Sequence, residues 1–245
     1  MQTNSYKKIT EAKEIGKKLF AVLIDPDKFN SEVITTAEAV GVDLLMVGGS
    51  ILSNGNIDTC ICEIKKITKI PVIIFPGNNL QISKHADGIL LLSLISGRNA
   101  ELLIGKHVVA APMLKASGSQ ILPTGYMLIE SGRQTAATYM SNTSPIPHDK
   151  DDIAMCTAMA GEQLGLKLIY MDAGSGALNT ISPSMIKKVS ESISIPLIIG
   201  GGISSSEKAI TACNAGADVI VVGNAIESDR SLISSIAKAV HSFKN

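Results

Sequence analysis

The feature that most constrains this chain is a series of eight strand-length apolar stretches, at about residues 19–24, 43–47, 71–75, 88–95, 126–130, 167–171, 196–199 and 218–222. They are apolar throughout rather than alternating, which implies strands covered on both faces, as in a parallel sheet. Each is followed by glycine, proline or a small polar residue, and most lead into a segment of helical character: 31–40, 57–68, 99–116, 150–164, 182–192, 204–214 and 228–243. Eight such units in 245 residues match a (β/α)8 barrel, which takes about 250. The pattern therefore predicts an α/β chain folded as a single TIM barrel. One irregularity stands out: only Gly77 to Asp87 separates the third and fourth runs, so the third helix must be shortened or missing. Residues 1–245 read as one domain, with no proline- or serine-rich linker.

Composition narrows the partners. Lysine plus arginine equals aspartate plus glutamate at 22 each, and aromatics are 3%. Nucleic acid is excluded as an expectation, since neither a basic footprint nor stacking platforms are present. No apolar run approaches the roughly 18 residues of a membrane span, and the first fourteen residues are polar and mixed in charge rather than secretory. The expected location is the cytoplasm. Cys60, Cys62, Cys156 and Cys213 lack metal-site spacing and read as free thiols.

In barrels the active site lies at the carboxyl ends of the strands. Strand one ends in Ile24-Asp25-Pro26-Asp27-Lys28 and strand two in Gly48-Gly49-Ser50. Asp25 puts a carboxylate at the barrel mouth, where a hard cation accepts it and completes its shell with water and diphosphate oxygens; the alternative is an Asx turn before Pro26. Ser50 is a second oxygen ligand or a simple turn residue. The last third carries three glycine-punctuated strand ends: Tyr170-Met171-Asp172-Ala173-Gly174-Ser175-Gly176, Gly200-Gly201-Gly202 and Gly223-Asn224. Glycine lets backbone N–H groups approach an anion closely. One such turn is ordinary; three, at the sixth, seventh and eighth strands, suggest a phosphate cradle. The histidines (His85, His107, His148, His241) fall in helical or loop segments and take no catalytic role.

Together these residues resemble the prenylglyceryl phosphate synthases, which include archaeal geranylgeranylglyceryl phosphate synthase and a bacterial heptaprenyl relative. The resemblance is carried by LIDPDK (23–28), GGS (48–50), FPGN (75–78), LLSLISGRNAELLIG (91–105), PTGYMLIESG (123–132), PIP (145–147), YMDAGSGA (170–177), IIGGGI (198–203) and VVGNAIE (221–227). It implies a magnesium-dependent prenyltransferase that joins a long-chain prenyl diphosphate, geranylgeranyl first among them, to sn-glycerol 1-phosphate. In that likeness Asp25 and Ser50 are the magnesium ligands. Tyr170, Met171, Asp172, Ala173, Gly174, Ser175 and Gly176, with Gly201, Gly202, Gly223 and Asn224, hold the glycerol phosphate, and Asp172 orients or deprotonates the attacking hydroxyl. Two departures matter: many family members have glutamate at the position of Asp172, and Leu23 stands where some have lysine. Charge on the diphosphate then falls to magnesium with Lys28 or Arg98. Tyr126 is read as packing. A flank without its third helix offers the prenyl tail a trough, and exposed apolar surface there implies a homodimer or higher homo-oligomer, with transient membrane contact for product release. The competing readings are another phosphate-handling barrel, such as a phosphosugar isomerase or thiamin phosphate synthase-like enzyme, and a non-catalytic phosphate-binding relative.

Overall fold

Eight parallel strands, each buried on both faces by aliphatic residues, close on themselves in the computed structural model, which describes residues 4–243. They are β1 (Leu19–Ile24), β2 (Leu44–Val47), β3 (Val72–Ile74), β4 (Gly88–Leu94), β5 (Gln120–Leu128), β6 (Leu168–Asp172), β7 (Leu197–Gly200) and β8 (Val219–Val222). Every neighbour in sequence is a neighbour in the sheet, and closure comes from β1 against β8, with Leu19 opposite Val219. The expected barrel is therefore present.

The outer helices are α1 (Ser5–Glu14), α2 (Ser31–Val40), α3 (Ile57–Ile67), α4 (Lys106–Ser117), α5 (Ala136–Ser141), α6 (Asp151–Gln163), α7 (Pro183–Ser190), α8 (Ser206–Asn214), α9 (Asn224–Ser228) and α10 (Ser231–Val240). No helix joins β3 to β4. Residues 76–87 cross in an extended course with turns, leaving the outer face of β4 without its usual cover. A π-turn at Glu101–Gly105 precedes α4.

Side chains alternate across each strand, so every second residue points into the barrel. The inner set includes Leu19 and Ala21, Leu44 and Met46, Leu90, Leu122, Leu168 and Tyr170, Ile198, Val219 and Val221. At the amino-terminal end α1 lies across this set through Ile9 and Ala12 and closes the floor. At the other end Phe75, Tyr126 and Tyr170 cap the interior: Phe75 stacks on Tyr170 with centroids 5.0 Å apart, and Tyr126 meets both edge-on.

The structure departs from or adds to the sequence reading at three places. The fifth strand starts six residues before the expected 126, because Pro123 and Gly125 imitate a turn; in the barrel they pair with Leu91 and Ser93 of β4. The polar start of the chain forms α1, whose lysines face aspartates of the floor. The last expected helix, 228–243, is α10, which begins at Ser231, and a short helix that was not expected, α9, precedes it.

Candidate active site

The inward alternation runs past the strand ends, and that places the site. Counting by two from β1 reaches Asp25, from β2 Gly48 and Ser50, from β6 Asp172, from β7 Gly202 and from β8 Gly223. All of these line one cleft of about 890 Å3 at the carboxyl end of the barrel, with Tyr170, Gly174, Ser175, Gly176, Gly201 and Asn224. Met171 and Ala173 fall on the opposite parity. Both are buried in the layer between barrel and helices and do not line the cleft, so they leave the list of candidate binding side chains.

Asp172 is the buried acid of the cleft. Its Oδ2 accepts from the Tyr126 hydroxyl at 2.6 Å and its Oδ1 from the Gly174 amide at 2.7 Å. Burial pushes its carboxyl above the usual range, while these two hydrogen bonds pull the other way without cancelling the shift. Tyr126 therefore does more than pack. Its own phenol is held well above the ordinary value by burial and by the Asp172 charge, so it remains a donor. Tyr170 is buried, lines the cleft and has no hydroxyl partner among the described residues, which leaves that group free for a ligand.

Asp25 serves both of its sequence readings. Oδ1 accepts from the Asp27 amide at 2.9 Å, closing an Asx turn, while the other oxygen takes no described donor. The carboxylate lies against the Gly48-Gly49-Ser50 turn: a Cβ placed on Gly49 would sit 3.4 Å from Asp25 Oδ1. That turn is fixed by Gln81, whose amide nitrogen donates to the Gly49 carbonyl at 2.9 Å and whose oxygen accepts from the Gly77 amide at 3.1 Å. Asp27, by contrast, is occupied with structure. The amides of Ser53 and Gly55, with the Ser53 hydroxyl, hold it down to about 2.

The cradle side is built from loops. Gly201 and Gly202 have φ of +83° and +71°, and a Cβ on either would strike backbone, Gly174 N at 2.6 Å and Asn179 O at 2.9 Å respectively. Ser175 Oγ donates to Asn224 Oδ1 at 2.9 Å and ties the β6 loop to the start of α9. The amides of Ser175, Gly176 and Gly202 donate to no described residue. Three free N–H groups around one hollow are what an anion takes up.

From the mouth an apolar groove runs down the flank where the third helix is missing. Ile82, Ile89 and Leu91 form one wall and Leu102, Ala110 and Leu114, from the π-turn and α4, the other. An apolar stretch of the cleft thus lies on the flank where a trough was expected.

Comparison with known proteins fits this geometry. The model of the PcrB family matches residues 8–240. A geranylgeranylglyceryl phosphate synthase of Chitinophaga pinensis is 52% identical over 98% of this chain and 97% of its own length. The chain belongs to the PcrB family. The synthase of Pyrococcus abyssi is 39% identical over 91% of this chain and 90% of its own. Among solved structures, (S)-3-O-geranylgeranylglyceryl phosphate synthase from Thermoplasma acidophilum, in complex with its substrate sn-glycerol-1-phosphate, superposes with a TM-score of 0.92 at 30% identity, over 98% of this chain and 99% of that one. A thiamine phosphate pyrophosphorylase from Pyrococcus furiosus, at 16% identity and a TM-score of 0.59, shares the fold.

Within this PcrB-family barrel the cations are not where the sequence put them. Lys28 pairs with Glu227 at 2.8 Å and Arg98 donates to the Gly97 carbonyl at 3.0 Å; neither lines the cleft. Lys106 and Lys208 do. Gln81 and Lys208 lie outside the quoted motifs, and Tyr126, though inside PTGYMLIESG, reads in the sequence as packing. Their parity or loop position becomes informative only once strand ends are fixed. His107 borders the groove with its Nε2 bonded to the Leu92 carbonyl, a structural tie at 2.8 Å. The described residues contain no cluster of three or more His, Cys, Asp or Glu side chains able to hold a metal, and no helix long and apolar enough to cross a membrane. Cys60 and Cys213 are buried thiols pushed up to about 12 by desolvation.

Proposed function

We propose that this chain transfers a long-chain prenyl group, geranylgeranyl first among them, from its diphosphate to sn-glycerol 1-phosphate, forming an ether bond and releasing diphosphate. The observation that carries the reading is one continuous cleft with three chemically distinct parts: an apolar groove, a carboxylate mouth and a cradle of unpaired amides. A prenyl diphosphate and a glycerol phosphate need those parts in that order. The Thermoplasma protein, which shares the fold over its whole length, binds the same acceptor.

In this reading the cradle takes the phosphate and Asp172 accepts a hydrogen bond from the free primary hydroxyl. That hydroxyl oxygen attacks C1 of the donor as the C1–O bond to diphosphate breaks. Asp172 takes the hydroxyl proton, a task its raised pKa favours. Tyr126 and the Gly174 amide fix the carboxylate so that one unshared pair faces the acceptor. The apolar groove excludes water from the tail. Asp25, with one unengaged oxygen beside the Ser50 turn, suits magnesium, an ion that takes one or two protein oxygens and completes its shell with water and phosphate. When bound it supplies positive charge to the departing diphosphate. We place the reaction in the cytoplasm, in a homo-oligomer that meets membranes as it releases its lipid product.

The test is product formation from a panel of prenyl diphosphates with sn-glycerol 1-phosphate and its enantiomer, with and without magnesium. Fixing phosphate and hydroxyls at three points predicts a preference of about tenfold to a hundredfold or more for sn-glycerol 1-phosphate, since the enantiomer leaves a buried polar group unpaired. Failure to transfer any prenyl group to either enantiomer would overturn the reading.

A further inference from the structure

We propose that Lys208 is the charge partner of the acceptor's phosphate, an inference that rests on the prenyl-transfer reading and adds to it a residue outside the glycine turns. The chain leaves β7 through Gly201 and Gly202, passes the Ser205 cap and enters α8, where Lys208 stands in the first turn on the cleft side. Its Nζ donates to the Gly202 carbonyl at 3.2 Å and to Ser204 Oγ at 3.0 Å. Both acceptors are neutral, and both belong to the loop that presents the free Gly202 amide.

An ammonium has three donors, and two are used. Several lysines elsewhere pair with acids: Lys13 and Lys18 with Asp218, Lys28 with Glu227, Lys65 with Asp87. Lys208 forms no ion pair among the described residues, although the cleft it lines contains Asp25, Asp172 and Glu227. The other lysine of the cleft, Lys106, opens α4 on the groove side. Besides the Arg133 guanidinium, which lies against Gly176, a phosphate dianion entering the hollow of neutral amides would thus meet the Lys208 cation, resting against the loop a short swing away. A charge-assisted hydrogen bond from that cation is stronger than the amide contacts it joins.

The rival role is a staple that holds the loop to α8. Steady-state kinetics of Lys208→Gln and Lys208→Arg, in the assay above, separate the two. A phosphate partner predicts that K208Q raises KM for sn-glycerol 1-phosphate about tenfold or more, with far smaller changes in kcat and in KM for the prenyl donor. K208R should recover most of the loss, and the rise of acceptor KM with ionic strength should flatten in K208Q. Independently of turnover, inorganic phosphate should raise Tm of the unmutated protein and do so much less for K208Q. An unchanged acceptor KM, or an equal loss for both substrates with a lowered Tm, overturns the assignment in favour of the staple. Absence of prenyl transfer by the unmutated protein would overturn the functional reading instead, and the phosphate shift would still decide whether Lys208 binds the anion.

Discussion

A buried carboxylate with a raised pKa works against its own fold, and Asp172 shows the conflict clearly. Because its folded pKa lies above the unfolded value, its contribution to stability is greatest when it is protonated and is lost as pH rises through the folded pKa. Asp172→Asn stays neutral, and its amide can still accept from Gly174 and donate to the Tyr126 oxygen. We expect this variant to melt no lower than the parent at neutral pH while turnover falls by about a hundredfold or more; a scan of Tm beside kcat checks both. Tyr126→Phe removes a hydrogen bond that pulls the Asp172 pKa down. The acid limb of the kcat/KM profile should therefore move to higher pH, and kcat/KM should drop by roughly tenfold. Asp25→Asn keeps the oxygen that closes the Asx turn, so it should fold normally yet lose at least about a hundredfold in turnover at any magnesium concentration. Normal transfer by Asp25→Asn under magnesium titration would remove the metal assignment.

Elements of this barrel are locked at the floor by a repeated device. Asp43, Asp87 and Asp218 each stand just before a strand and accept an amide of the strand before it in the barrel: Phe20 at 3.1 Å, Val72 at 2.8 Å and Leu197 at 2.9 Å. Lysines and His241 surround them; His241 Nε2 lies 2.7 Å from Asp43. For Asp43, burial pushes the pKa up, but His241, the Phe20 amide and Lys8 together bring it below the usual range. A lowered folded pKa gives stability that is present above the unfolded value near 3.8 and is lost as pH falls through the folded one. Asp43→Asn should flatten acid unfolding in that window and cost roughly 1–3 kcal/mol at neutral pH, read from urea midpoints at several pH values. Strand positions were legible in the sequence because burial on both faces makes strands uniformly apolar. Helix α1 was not, since two buried apolar residues, Ile9 and Ala12, give a weak period among charged residues, of which Lys8 and Lys13 find their partners over 30 residues away. The start of β5 was hidden because Pro123 and Gly125 obey the rules for turns while the sheet supplies their place.

At the scale of the whole molecule the two ends and one flank divide the labour: floor for stability, mouth for chemistry, groove for the tail. The mouth was legible because glycines and acids at strand ends continue an inward alternation that begins in the core; Gln81, Tyr126 and Lys208 escaped because their roles depend on contacts made in three dimensions. The groove was read from an omission, eleven residues (Gly77 to Asp87) where a helix should fit, and that inference can fail in a specific way. In the rival arrangement, apolar residues on the outer face of β4 pack against α4 as ordinary core. Ala110→Trp distinguishes the cases, since Ala110, on the second turn of α4, lines the groove together with Ile89 and Leu91. β4 spans about 23 Å at about 3.3 Å per residue, so an indole at that point should block the distal part while sparing the mouth. In an open groove the ring finds room. Tm should then hold, kcat/KM for geranylgeranyl diphosphate should fall at least about tenfold, and kcat/KM for geranyl diphosphate should change by less than about threefold. In a filled core the same ring overpacks, costing about 1–3 kcal/mol, and both donors should lose activity together with the fold. Equal losses for short and long donors, accompanied by a lowered Tm, would mean that the tail travels by another route.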